Sequence, residues 1–246
     1  MKTFFVKISI VIVILFLSEG CGNSPLSEQP IKKISALKAE IVLGSYSDGE
    51  NYAKVVLKDS DGKDIANKEL KVKVNDVVLP LTIARGNYYD TYPYYKFPES
   101  STSWNGKKLT KEERQLLQDS VYQFFLTLSD SSEYSIAHIS IQKINPNINI
   151  PQSVNLNEDA VMTFQDVPQN HTNNLKITST SENISAIDTV IENTKEPFHI
   201  PKILIQNTGE IYITLTVEQY GLIHSQLLSG SYVKFVHEIK KTVTIK

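Results

Sequence analysis

A single cysteine, Cys21, serves a chain of 246 residues. That scarcity removes a disulfide framework, and beyond residue 21 it removes every thiolate nucleophile and thiolate metal site. Histidines are few and scattered, at His138, His171, His199, His224 and His237. No H-E-x-x-H pair, G-x-S-x-G elbow or P-loop is present. The chain is therefore expected to be no enzyme, with no catalytic residue, no metal ligands and no cofactor. Charge of one sign is also missing. The formal net charge is −2 without a long block of either kind, so the basic footprint of a nucleic-acid partner is absent. The one sustained apolar run, Ile8 to Leu17 broken only by Ser9, falls short of the roughly 20 residues of a spanning helix.

What is present begins with that run. Lys2 and Lys7 precede or flank it, and the small residues Ser18 and Gly20 stand just before Cys21, the layout of an export signal over residues 1–20. Two cleavage outcomes follow. An ordinary signal peptidase would cut after Gly20 and leave a free thiol. The segment also resembles a bacterial lipoprotein signal of the Bacteroidota type, with Ser18 where Leu is usual, Leu17 one place further back, and an unusual Glu19. That resemblance implies that Cys21 becomes the N-terminus, carries lipid such as palmitate, and tethers the protein to a membrane. Gly22 in place of an Asp then implies the outer membrane of the cell envelope. Gly22 to Pro25 lack the acidic cluster of surface-sent lipoproteins, which leaves periplasm or surface open.

Residues 21–34, with Pro25 and Pro30 and no periodicity, read as a tether. From there period-two alternation takes over, the mark of half-buried strands. Leu37, Ala39, Ile41 and Leu43 share one face; Ala53, Val55 and Leu57 alternate with Lys54 and Lys58. Asp61-Gly62 and Asn75-Asp76 supply turns around Leu70, Val72 and Val74. Asp59, Asp61 and Asp64 form a carboxylate cluster, but its glycine falls fourth and Leu70 sits where a calcium loop needs its glutamate, so a solvated turn is expected.

The oddest stretch follows. Tyr88, Tyr89, Tyr92, Tyr94, Tyr95, Phe97 and the sole Trp104 crowd between residues 88 and 104. Pro93 and Pro98 argue against a central strand, so a long aromatic loop is expected. Its aromatic residues offer large contact area for few rotors, and Tyr88, Tyr89, Tyr92, Tyr94, Tyr95 and Trp104 become the candidate binding residues. The blander alternative is that they cover the open end of a sandwich. Carboxylates such as Asp90 and Glu99 nearby could form a glycosidase pair, whose spacing a sequence does not give.

Thr110 and Glu113 make a capping box for a short helix over roughly Lys111 to Ser120. Tyr122, Phe124, Leu126 and Leu128 form a strand whose hairpin mate runs from Tyr134 to Ile144. The segment 145–153, with two prolines and three asparagines, marks a domain boundary. Beyond it Val161 and Phe164, Leu175 and Ile177, Ile184 to Ile191 and Ile200 to Ile205 read as short strands. Ile211, Ile213, Leu215 and Val217 face inward with Tyr212, Thr214 and Thr216 outward. Val233, Phe235, His237, Ile239, Val243 and Ile245 share the phase of a long last strand, in which Lys240 and Lys241 suggest a bulge or an exit from the sheet.

The run from Tyr52 to Leu81 resembles bacterial immunoglobulin-like or transthyretin-like modules, and FHIPKILI with GEIYITLTV is similar to immunoglobulin-like and fibronectin-like modules. The resemblance implies an all-β fold of two tandem immunoglobulin-like β-sandwich domains, at 35–145 and 146–246, the first with the long aromatic loop and one short helix. The function it implies is a lipid-anchored envelope module for binding, adhesion or scaffolding, with an envelope protein or a glycan as partner. Its alternative is a glycan-binding accessory lipoprotein of a polysaccharide-uptake system, with a glycoside-active enzyme third.

Overall fold

The structure, a computed structural model, describes residues 26–27, 30–45, 51–85, 91–97, 110–180 and 187–246. Almost all of its regular elements are strands. In the first half these are β1 (Lys38–Ser45), β2 (Asn51–Lys58), β3 (Lys71–Val74), β4 (Val77–Leu79), β5 (Leu81–Arg85), β6 (Thr91–Phe97), β7 (Val121–Thr127) and β8 (Glu133–Ser140). Helix α1 (Lys111–Leu116) precedes β7. The second half holds β9 (Asn147–Asn149), β10 (Ser153–Val154), β11 (Ala160–Gln165), β12 (Thr172–Ser179), β13 (Ile187–Val190), β14 (Phe198–Ile200), β15 (Gly209–Tyr220), β16 (Leu222–Ile223) and β17 (Tyr232–Ile245).

Two hydrophobic cores organise these strands, each between two layers, so the fold is all-β and of sandwich type. The first core takes Leu37, Ala39, Ile41 and Leu43 from β1 and its entry, and Val72, Phe124, Leu126 and Ile139 from the facing five-stranded sheet β16-β8-β7-β3-β4. The second takes Leu175, Ile211, Ile213 and Leu215 from one layer and Ile148, Met162 and Ile200 from the small sheet β14-β11-β9 opposite. Alternation dictates this arrangement: every second residue of β1 and β15 is apolar, and each such Leu or Ile contributes about 1.5–3 kcal/mol when fully buried.

One nine-stranded sheet, in the order β13-β12-β15-β17-β1-β2-β6-β5 with β10 beside β17, backs both cores. Its spine is the β15–β17 hairpin, in register without a break from Gly209 opposite Ile245 to Tyr220 opposite Lys234. The near end of β17 then pairs in parallel with β1, Tyr232 to Val236 beside Glu40 to Gly44. Hence the last strand serves both cores: Val233 and Phe235 pack in the first and Val243 and Ile245 in the second. Leu227 joins the first core as well. These residues depart from a second sandwich confined to 146–246. The cause is a strand long enough to run past its own core into the neighbouring one.

Four further expectations need correction. Residues 21–34 are more than a tether where described: Ile31 and Ile34 are buried in the first core, and Ser27 bridges Ile65. The stretch 91–97 is strand β6 and not a loop; it lies between β2 and the edge strand β5. Pro93 is tolerated because the ladder to β2 runs only through Phe97, Lys96 and Tyr95 and so asks no donor of it. Lys240 and Lys241 cause no bulge, lying in register opposite Thr214 and Ile213. Residues 202–205 form a 3-10 turn, with Leu204 and Ile205 buried, and not a strand.

Local signals were otherwise realised in detail. The Thr110 hydroxyl accepts from the Glu113 amide while the Glu113 carboxylate accepts from the Thr110 amide. Asp59 accepts from the amides of Asp61 and Lys63, so that carboxylate closes its own turn. Gly221 carries the chain from β15 to β16 and so across to β8; a Cβ there would sit 2.4 Å from the His138 carbonyl oxygen.

Candidate binding face

β6 divides the aromatic cluster in two. Tyr95 and Phe97 point inward with Pro93, while Tyr92, Tyr94 and Lys96 point outward. Tyr95 is only 2% exposed, and its hydroxyl donates to the carbonyls of Asn67 and Leu70. Burial pushes its phenol up to about 12. As a binding residue Tyr95 is thus corrected to a core residue. Tyr92 is 50% exposed and Tyr94 half-buried. Cys21, Tyr88, Tyr89 and Trp104, like Asp90 and Glu99, lie outside the described residues.

Tyr92 and Tyr94 are not alone on their side of the sheet. Directly paired residues share a face, so the register can be followed strand by strand. Lys96 faces Lys54, Tyr52 faces Gly44, Gly44 faces Val236 and Lys234 faces Tyr220. Glu40 faces Tyr232, and Tyr212 faces Thr242. All of these belong to the face turned away from both cores. Tyr52, Tyr92, Tyr94, Tyr212, Tyr220 and Tyr232 therefore share one surface, which no second layer of described residues covers. Tyr94 and Tyr232 sit on strands three steps apart, roughly 14 Å.

Lysines are interleaved with these rings. The Lys54 ammonium lies 4.7 Å from the centroid of Tyr94, Lys96 lies 5.6 Å from that of Tyr52, and Lys234 5.7 Å from that of Tyr232. Each pair is a cation–π contact worth about 0.5–1 kcal/mol at an exposed site. Tyr52 lies flat across the neighbouring strand because Gly44 leaves room for it. A Cβ on Gly44 would fall 2.5 Å from the Tyr52 ring. Burial, with Glu238 second, raises the Tyr52 phenol above its ordinary value.

Two pairs of lysines oppose each other directly across strands, which costs energy unless it is relieved. Lys38 faces Lys58, and Glu40 sits between them at 2.7 and 3.2 Å. Burial alone would raise the Glu40 carboxyl; the hydrogen bonds from Lys38 and Lys58 outweigh it and hold the group below its usual range. Lys54 faces Lys96, and these two lean apart onto Tyr94 and Tyr52. Burial and then the charge of Lys54 lower the Lys96 ammonium. Further along, Glu218 accepts from both Lys234 and Tyr220. Burial and that bond push Tyr220 up to about 12.

The opposite, inner side of β17 offers a second concavity. Between the two cores a cleft of about 1390 Å³ is lined by Phe235, His237 and Ile239, with Asp119, Gln142 and Ile144 among its walls. Burial lowers the His237 imidazole. Ser45, Asn51 and Tyr122 close the adjoining end of the first core: Ser45 donates to Asn51, Asn51 to Tyr122, and Tyr122 to the Leu116 carbonyl. Among the described residues no group of three or more His, Cys, Asp or Glu is placed to hold a metal ion.

Sequence reasoning selected Tyr92 and Tyr94 as aromatic residues of a loop and passed over Tyr52, Tyr212, Tyr220 and Tyr232. Their outward phase is visible strand by strand, but only pairing unites them. The cleft gathers residues from five separate stretches and leaves no local signal.

No protein-family model matches the chain, and no curated protein matches it. Among solved structures it is similar to the FN1–FN3 domains of chicken CNTN1, at 6% identity and a TM-score of 0.25, over 85% of this chain and 64% of that one. It is also similar to SGBP-B of the Bacteroides ovatus mixed-linkage glucan utilization locus, in complex with a mixed-linkage heptasaccharide. There the identity is 11% and the TM-score 0.24, over 91% of this chain and 47% of that one. The chain spans less than two thirds of either protein's length. Likeness at this level says nothing of a ligand.

Proposed function

We propose that the chain is a lipid-anchored, non-enzymatic binding module of the cell envelope, and that it lays a glycan across the tyrosine-bearing face of its long sheet. One observation carries this reading: six tyrosines from four strands, Tyr52 of β2, Tyr92 and Tyr94 of β6, Tyr212 and Tyr220 of β15 and Tyr232 of β17, share one uncovered surface. An amphipathic ring packs its apolar face on a sugar while its hydroxyl stays wet. An uncovered sheet face suits an extended ligand, and the two cores behind it hold the rings in place. The lipid on Cys21 supplies attachment to the membrane through the segment before Ile31.

A glycan-array screen tests the ligand. Wild-type chain is expected to give a defined set of signals, and a Tyr92→Ala/Tyr94→Ala double variant to lose at least about tenfold in affinity, since two stacking anchors are removed. Signals that survive that variant and vanish with Trp104→Ala would move the site off the sheet face; no signal with any glycan sinks the reading. For the anchor, Cys21→Ser is expected to shift the protein from the membrane fraction to the soluble one. Unchanged membrane partition would overturn lipid attachment at that residue.

A further inference from the structure

Strand β17 is paired continuously along one edge and only at its two ends along the other. On the first edge β15 covers it from Lys234 to Ile245. On the second, β1 stops at Gly44 opposite Val236, and β10 starts at Ser153 opposite Thr244. Residues 237–243 thus form a bare edge about 20 Å long, a lane between two strands that both run parallel to β17. The amides of Thr244 and Lys246 donate toward β10, to the Gln152 and Val154 carbonyls. Successive residues of a strand alternate in this direction, so the N–H and C=O groups of Glu238, Lys240 and Thr242 point into the lane. Among the described residues none of these groups has a backbone partner.

The cleft of about 1390 Å³ between the two cores follows this edge, since His237, Glu238, Ile239 and Lys240 line it in succession and so from both faces of β17. It exceeds the roughly 300–1,000 Å³ of small-molecule pockets. We propose that it takes an extended segment of a partner protein, which adds to the sheet as a strand of about six residues between β1 and β10. Donors and acceptors at every second residue match the repeat of a peptide backbone. The walls set the character of the segment: apolar side chains toward Phe235, Ile239 and Ile141, polar ones toward Glu238 and Lys240. Glu238 and Lys240 already meet at 2.7 Å, so the segment needs no charge of its own. A second copy of this chain suits the lane poorly. Its own β1 and β10 would hold the two edges apart, and a two-fold pairing centred here would set Lys240 against Lys240, like charges directly opposite. The inference does not depend on the glycan reading above.

Amide hydrogen exchange of the full chain in detergent, followed by NMR, reads the lane directly. In the free protein the amides of Glu238, Lys240 and Thr242 are expected to exchange at least about tenfold faster than those of His237, Ile239 and Lys241, which β15 holds. Equal protection of all these amides shows the lane already filled and overturns the proposal. The binding probe is an array of eight-residue peptides that alternate Val, Ile, Leu or Phe with Ser, Thr or Gln. A bound member is expected to slow the Glu238, Lys240 and Thr242 amides at least about tenfold. N-methylation of one alternate set of its amides is expected to weaken affinity at least about tenfold and methylation of the other set to change it little, because only one set faces β17. Equal effects of the two sets, binding that leaves the three amides fast, or binding of no member each overturn strand addition. Lys240→Pro removes a donor into the lane and none toward β15, and is expected to weaken binding about tenfold; if its thermal midpoint shows that it does not fold, the two methylated peptides still decide. A sedimenting dimer that protects the same three amides overturns the partner in favour of a second copy.

Discussion

Tyr94 and Tyr95 are neighbours in the chain and opposites in the fold. Tyr95 stands in the first core with its hydroxyl held by the Asn67 and Leu70 carbonyls. Tyr94 stands on the open face beneath the Lys54 ammonium. Asn51 and Tyr52 repeat the contrast on β2: Asn51 donates into the closed end of the core toward Tyr122, while Tyr52 lies across Gly44 on the outside. The lesson is that residue type does not separate core from outward-facing aromatics in this molecule. Strand parity does, because one step along a strand exchanges a packed environment for a wet one. The inner face is bound by packing and tolerates little change, whereas the outer face is held by pairwise contacts near about 1 kcal/mol.

The strongest way to break that contrast is to truncate across it. Tyr95→Ala is expected to destabilise the protein by about 3–5 kcal/mol, the range for removing a buried aromatic side chain. Tyr94→Ala is expected to cost less than about 1 kcal/mol, the worth of one exposed cation–π contact. Urea unfolding followed by circular dichroism measures both. Equal losses would mean that Tyr94 is a structural residue after all, and the open face would lose its claim to be a binding surface.

Most strands were legible in the sequence because alternation survives whatever sheet a strand joins. Leu37 to Leu43, Ala53 to Leu57 and Ile211 to Val217 all face as their spacing dictates. The capping box at Thr110 and the turn at Asn75, where φ is +49°, were equally local and equally plain. Pairing was not legible. Nothing around Val233 and Phe235 announces that they lie beside β1, nearly two hundred residues earlier, since alternation looks the same beside any neighbour. The aromatic stretch misled for another reason. Pro93 suppresses the strand reading, yet it stands past the end of the β2 ladder, where its missing donor costs nothing. Read as a strand, the same residues would have separated Tyr95 from Tyr94 by parity alone.

A finer test of the outer face lies in Glu40. Its carboxylate joins Lys38 to Lys58, and its folded value is held below the ordinary 4.5. A carboxyl depressed on folding binds its proton more weakly in the native state, so the stability it contributes is present above pH 4.5 and disappears as the pH falls through the folded value. Glu40→Gln keeps the shape and removes the charge. It is expected to lower stability at pH 7 by less than about 1 kcal/mol, because the network is partly solvated, and the gap from wild type should close in acid below that window. Measuring unfolding free energy at pH 7 and pH 3 decides it. A gap that persists at pH 3 would show that Glu40 acts through packing, and the outer face would then resemble the inner one more than its charges suggest. A gap that closes leaves Lys38 and Lys58 as a pair relieved by charge alone.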